Sequence, residues 1–375
     1  MTPEDICAHH GDDYHSQLGA VSPPIYQTSL FSRKGGASRF SYTRTNNPTV
    51  ELAEKKIAAL EGAESALCFS SGMAAISAVI THLVSAGSHV IAPKSVYLPV
   101  RSLLDSYLTK FGVEVTFVDG TDLGKIESAI RPETSVIYLE SPVSNLFALQ
   151  DLEGVAQIAA KRGVPCVVDN SWSTPIFQNP HRFGIEYVVH SASKYLGGHS
   201  DLVAGVVTGT EEHMVEIRHT ERGLYGASMD PHAAWLLIRS LRTLPIRMRT
   251  HQASAIAVAR FLENHSSVER VYFPGLDSHP QRDLAKRQMN GTSGVMAFTT
   301  DGSEVRTKTA IASLDHFEIG PSWGGYESIL NTPGLGIDRQ RSEETGIPPG
   351  LIRISVGLEH PDTLIEDLDR ALSLL

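Results

Sequence analysis

Cysteine, basic charge and long apolar runs are all scarce in this chain. Its three cysteines, Cys7, Cys68 and Cys166, stand far apart among 375 residues and cannot all pair. A disulfide scaffold is therefore excluded, and a reducing cytoplasm is the expected compartment. Lys and Arg number 32 against 42 Asp and Glu, a formal charge of −10. Nucleic acid is not an expected partner, because the phosphate backbone needs a basic face. Arg239, Arg242, Arg247 and Arg249 form no such face, being spread through one helical stretch. The most apolar window, 74–92, is broken by Ser77, Thr81, His82, Ser85, Gly87, Ser88 and His89. That falls short of the roughly 18 apolar residues of a membrane helix, so no membrane partner is expected. The opening Met1-Thr2-Pro3-Glu4-Asp5-Ile6-Cys7 is acidic and unlike a secretory leader. No Gly-x-x-x-x-Gly-Lys-Ser/Thr loop, His-Glu-x-x-His or Cys-x-x-Cys occurs, and the histidines are scattered. A phosphate loop of that kind and a metal centre are not expected.

What is present reads as a soluble globular chain of two or three domains. Residues 1–45 carry Ser22-Pro23-Pro24 and the 33–38 stretch Arg-Lys-Gly-Gly-Ala-Ser, with little helical or strand periodicity. They read as an arm with few apolar residues of its own to bury, expected to lie against something else. Asn47 and Pro48 then start a helix, with Leu52, Ala53, Ile57 and Leu60 at helical spacing. Over 46–238, strand-like runs at 66–69, 90–92, 113–118, 135–139, 165–168 and 187–190 alternate with helical patterns such as 103–110 and 155–160. Such alternation predicts an α/β fold with a mainly parallel central sheet covered on both faces. Ligands in such folds gather beyond the carboxyl ends of the strands. A long helix is expected from Pro231 to Pro245, then a helix at 252–262, strands at 268–273, 294–299 and 351–356, and a closing helix from Pro361. This less regular order suggests a smaller α+β domain over 239–375.

The most informative segment is Ser191-Ala192-Ser193-Lys194-Tyr195-Leu196-Gly197-Gly198-His199-Ser200-Asp201, which follows a strand end. A lysine whose charge is disfavoured by burial becomes a usable amine nucleophile toward an aldehyde cofactor. Asp169 ends the run Val167-Val168. A carboxylate there can pair with a protonated pyridine nitrogen; a helix cap or turn is the alternative. Phe69-Ser70-Ser71-Gly72-Met73 reads as a strand–turn–helix junction, where backbone N–H groups can hold phosphate or simply start a helix.

Together with Ser322-Trp323-Gly324-Gly325-Tyr326-Glu327-Ser328 and Ile352-Arg353-Ile354-Ser355, these motifs resemble the cysteine/methionine-metabolism family of pyridoxal-phosphate enzymes. The resemblance runs from Pro24-Ile25-Tyr26-Gln27-Thr28 to the last helix and implies an aspartate-aminotransferase-like (fold type I) architecture. It implies pyridoxal 5'-phosphate as cofactor, with Lys194 as Schiff-base lysine and proton shuttle and Asp169 on the pyridinium. Ser191, Ser193 and the backbone of Gly72 and Met73 would bind the phosphate, and Tyr97 would stack on the ring. Tyr42 and Arg44 would reach the phosphate site of a neighbouring subunit, in a homotetramer built as a dimer of dimers. Arg353 would grip the α-carboxylate of an amino-acid substrate, with Ser322 and Trp323 beside it. A strand arginine in a structural ion pair is the alternative for Arg353.

Trp323 and Ser144 resemble the β-lyases of the family, whereas Pro321 and Trp235 depart from them. The expectation is β-elimination on cystathionine or a related cysteine conjugate. The rivals are γ-elimination or γ-replacement, and a cofactor-binding regulator without turnover.

Overall fold

The computed structural model describes residues 1–375 except Arg33, Gly35, Ala37 and Asp301, so part of the 33–38 stretch lies outside the described residues. Seven strands form the larger sheet: β1 Ser65–Phe69, β2 His89–Pro93, β3 Glu114–Val118, β4 Thr134–Glu140, β5 Cys166–Asp169, β6 Tyr187–Ser191 and β7 Gly205–Gly209. Their order across the sheet is β1-β7-β6-β5-β4-β2-β3. The pairs from β6 through β5, β4 and β2 to β3 are parallel, whereas β7 runs antiparallel to both of its neighbours. Strands β1, β2 and β7 are buried along their whole length, as expected where helices cover both faces.

The connecting helices start where side chains can cap them. Asn47 accepts the Thr49 N–H ahead of the helix Pro48–Glu61, and Ser71 accepts the Ala74 N–H ahead of Gly72–Leu83. A second sheet of five strands, β8 Val268–Tyr272, β9 Val295–Thr300, β10 Glu318–Ile319, β11 Ile329–Asn331 and β12 Ile352–Ser355, has the order β10-β11-β12-β9-β8 and is mostly antiparallel. The fold is thus α/β of fold type I, with a mainly parallel central sheet and a smaller C-terminal sheet region.

Four details differ from the sequence expectation. Pro3–His9 is a helix closed by a Thr2/Asp5 capping box, and Cys7 on it is fully buried. The first residues therefore join the core of their own chain, held further by the buried Lys56–Asp12 ion pair at 3.2 Å. Strand β7 lies outside the six strand-like runs of the sequence, since its terminal glycines leave only Val206, Val207 and Thr208 to mark it. The helix from Pro231 ends at Leu241, and Pro245 sits in the first turn of a new helix, Leu244–Asn264, where its missing N–H costs nothing. The expected regular helix at 103–110 is a π turn followed by a 3-10 turn.

Candidate active site

The carboxyl ends of β1, β2, β4, β5 and β6 open into one cleft of about 510 Å³. Gly72, Met73, Tyr97, Asp169, Ser191, Ser193, Lys194, Ser322, Trp323 and Arg353 all line it. Ten of the twelve residues singled out above are therefore brought together. Tyr42 and Arg44 are not among them; they line a separate depression with Gln27, Thr28 and Asp230. Tyr42 is 45% exposed there, and Arg44 donates to the Gly223 carbonyl.

Lys194 follows β6 by three residues and donates to Ser322 Oγ at 2.8 Å, its ammonium lying 5.4 Å from the centre of the Trp323 ring. Burial and the nearby Arg353 charge push its pKa down to about 8, against a smaller opposing pull from Asp169. A half-buried lysine next to a guanidinium loses its proton far more readily than a surface one. Asp169 closes β5, and its Oδ1 accepts the Ser171 N–H at 2.9 Å. Burial holds its carboxyl above the usual range, with Ser171, His190 and Lys194 working against that rise.

Arg353 on β12 is 8% exposed and donates to the carbonyls of Pro321 at 2.8 Å and Ser322 at 3.4 Å. Among the described residues it makes no ion pair, so the structural-pair alternative has no support. Tyr97 stands before the short helix Leu98–Ser102, and its backbone N–H donates to Glu140 Oε2 at 2.8 Å. Burial, together with the charges of Glu140 and Asp169, raises its phenol pKa.

The turn from β1 into the helix Gly72–Leu83 is set by close backbone approach. A Cβ on Gly72 would fall 2.8 Å from Ser191 Cβ, and one on Gly205 would fall 2.0 Å from the Ser71 carbonyl oxygen. Glycine is therefore required at both positions. Ser71 takes the Ala74 N–H with its side chain and the Ala75 N–H with its carbonyl, leaving the first helical N–H groups for an anion.

Sequence reasoning missed four residues at the site. Glu140 ends β4 as Asp169 ends β5, a signal that could have been read. Ser171 supplies the donor to Asp169. Ser200 takes a left-handed φ of 56° and donates its hydroxyl to Glu327 Oε1. A non-glycine residue at positive φ is uncommon and concentrates at functional sites. Among the described residues, no group of three or more His, Cys, Asp or Glu is placed to hold a metal ion.

A half-buried amine of lowered pKa, a strand-end carboxylate and a glycine-lined helix start line one cleft, and their chemistry suits the aldehyde, pyridine nitrogen and phosphate of pyridoxal phosphate. The fold and the cleft define a fold type I pyridoxal-phosphate enzyme. The chain belongs to the Cys/Met metabolism PLP-dependent enzyme family, whose model matches residues 4–373. It is 40% identical to the cystathionine gamma-lyase of Bacillus subtilis (strain 168), over 99% of both chains. It is 40% identical to the cystathionine beta-lyase of Lactococcus lactis subsp. cremoris (strain MG1363), over 97% of both. To the L-methionine gamma-lyase of Treponema denticola it is 39% identical, over 98% of this chain and 96% of the relative.

Proposed function

We propose that the protein is a carbon–sulfur lyase that performs β-elimination on cystathionine or a related cysteine conjugate. The observation that carries this reading is the Lys194 amine held at Ser322 inside the cleft that Arg353 and Asp169 also line. Trp323 beside that amine and Ser144 in the 141–145 loop favour the β reaction. The γ reaction is the second reading, because two of the three relatives named above are γ-lyases.

Bound pyridoxal phosphate supplies an electron sink that makes the substrate Cα proton acidic. Ser191, Ser193 and the N–H groups of Gly72 and Met73 would hold its phosphate, and Tyr97 would stack on its ring. Asp169 would pair with its ring nitrogen and favour the protonated form. Arg353 binds the α-carboxylate through two parallel N–H donors, a geometry that a lysine lacks. Lys194 removes the Cα proton at Nζ, a step worth roughly 10²–10⁴-fold in rate. The Cβ–S bond then breaks with its electron pair on sulfur, which takes a proton and departs as a thiol. Water converts the three-carbon remainder to pyruvate and ammonia.

Tyr42 and Arg44 belong, in this reading, to the active site of a neighbouring subunit, and the assembly is a homotetramer. Their exposure away from the Lys194 cleft supports that. Residues 1–45 form the arm, 46–238 the cofactor domain and 239–375 the smaller domain. A cytoplasmic location suits three buried, unpaired cysteines.

The test is to incubate the holoenzyme with cystathionine and measure pyruvate, 2-oxobutyrate and free thiol. Pyruvate with homocysteine supports the β reading. A 2-oxobutyrate product replaces it with the γ reading, and no oxoacid from any sulfur amino acid removes the lyase.

A further inference from the structure

Glu140 is a buried carboxylate that the mechanism above does not use. It and Asp169 are register partners at the ends of neighbouring parallel strands. Such strands lie about 4.8 Å apart, and paired residues project to the same face of the sheet. Glu140 is 6% exposed and lines the cleft. Its two oxygens accept three donors: Oε2 takes the Tyr97 N–H at 2.8 Å, and Oε1 takes both the Ser144 N–H at 2.6 Å and the Ser144 hydroxyl. Tyr97 and Ser144 stand 47 positions apart in sequence and belong to separate segments, both lining the cleft. One side chain therefore ties two walls of the cleft together.

The chemistry of serine adds a consequence. A hydroxyl carries one hydrogen, and Ser144 gives its hydrogen to Glu140. Toward the cleft Ser144 then offers lone pairs only, so a ligand group meeting it must be a donor. An asparagine at the same place would offer an N–H and reverse that polarity.

We propose that Glu140 is a positioning residue that fixes the Tyr97 turn and presents Ser144 to the cleft as a hydrogen-bond acceptor, so that a cofactor group meeting Ser144 there must carry a proton. The inference rests on the cofactor reading of the Lys194 cleft and holds for either the β or the γ reaction. Burial and the Asp169 charge push the Glu140 carboxyl up to about 7, against the three donors. The charged and titratable groups facing it are Asp169 from β5, Tyr97 from the turn, Arg353 from β12 and Tyr138 on its own strand. Loss of its negative charge weakens its hold on all three donors, the Tyr97 N–H and both Ser144 groups.

The test uses the holoenzyme of the wild type, Glu140→Gln, Ser144→Asn, Ser144→Ala and the Glu140→Gln/Ser144→Ala double variant. Readouts are visible absorbance as a function of pH and visible circular dichroism of the bound cofactor, with kcat and KM alongside. Ser144→Asn is expected to enlarge the longer-wavelength band and move its pH midpoint by about one unit or more. Glu140→Gln is expected to change the dichroism, and Ser144→Ala is expected to add nothing further in that background. An unmoved midpoint in Ser144→Asn overturns the acceptor assignment, and it decides alone if Glu140→Gln does not fold. Additive effects of the two single changes, or a lower melting temperature with unchanged spectra, reduce Glu140 to a structural residue. A wild type that binds no cofactor at all instead overturns the functional reading, and this inference with it.

Discussion

Gly72 and Ser191 stand so close that any side chain on the first would collide with the second, a Cβ landing 2.8 Å from Ser191 Cβ. Because Gly72 opens a helix and Ser191 closes β6, their contact sets the width of the proposed phosphate seat. Gly72→Ala is expected to overpack this point by about 1–3 kcal/mol. Cofactor affinity should fall roughly tenfold or more, the equivalent of 1.4 kcal/mol per tenfold. Equilibrium titration of apoenzyme with pyridoxal phosphate measures this; unchanged affinity would remove Gly72 from the seat.

Lys194→Ala should retain the fold and lower turnover by roughly 10²–10⁴-fold or more, since the proton at Cα loses its acceptor. Steady-state assay together with mass spectrometry for covalently held cofactor checks both consequences. Turnover that survives the substitution would end the assignment.

The lowered pKa of Lys194 has a sign that can be read in solution. Its folded value of about 8 lies below the ordinary 10.5, so between those values the unfolded chain holds more protons. Apoenzyme stability therefore rises with pH through that window and gains nothing below about 8. The free-amine fraction grows about tenfold between roughly pH 7 and 9 and then saturates. Cofactor uptake followed by stopped-flow absorbance should level off in the same way. A rate still climbing log-linearly above that range would mean an unperturbed lysine.

Arg353→Lys keeps the charge and loses the planar pair of donors. The expected outcome is a Michaelis constant raised roughly ten- to a hundredfold, with cofactor absorbance unchanged. Unaltered kinetics would return Arg353 to holding the Pro321 and Ser322 carbonyls alone.

Lys56 and Asp12 form an ion pair with side chains 0% and 1% exposed. Lys56→Ala strands the Asp12 carboxylate in the interior and should cost roughly 3–5 kcal/mol. Replacing both by apolar residues of similar volume should recover most of that loss. Denaturant melts of the single and double variants decide it, and equal losses in both would contradict the pair.

Much of this protein is legible in its residues alone. Runs of β-branched residues, together with helix starts such as Asn47-Pro48, mark six of the seven strands of the larger sheet and several helices, because these signals act within a few residues. Lys194 is recognisable because hydroxyls and glycines surround it directly after a strand. Tertiary structure alone decides what those segments meet. Strand β7 has only three non-glycine residues, and β10 and β11 hold two and three, too few for periodicity to register. Lys194 meets Ser322 across 128 residues, and Glu140 stands beside Asp169 through the parallel register of two strands. Those pairings arise from burying both faces of one sheet, a constraint that belongs to the whole chain and leaves no local mark on either partner.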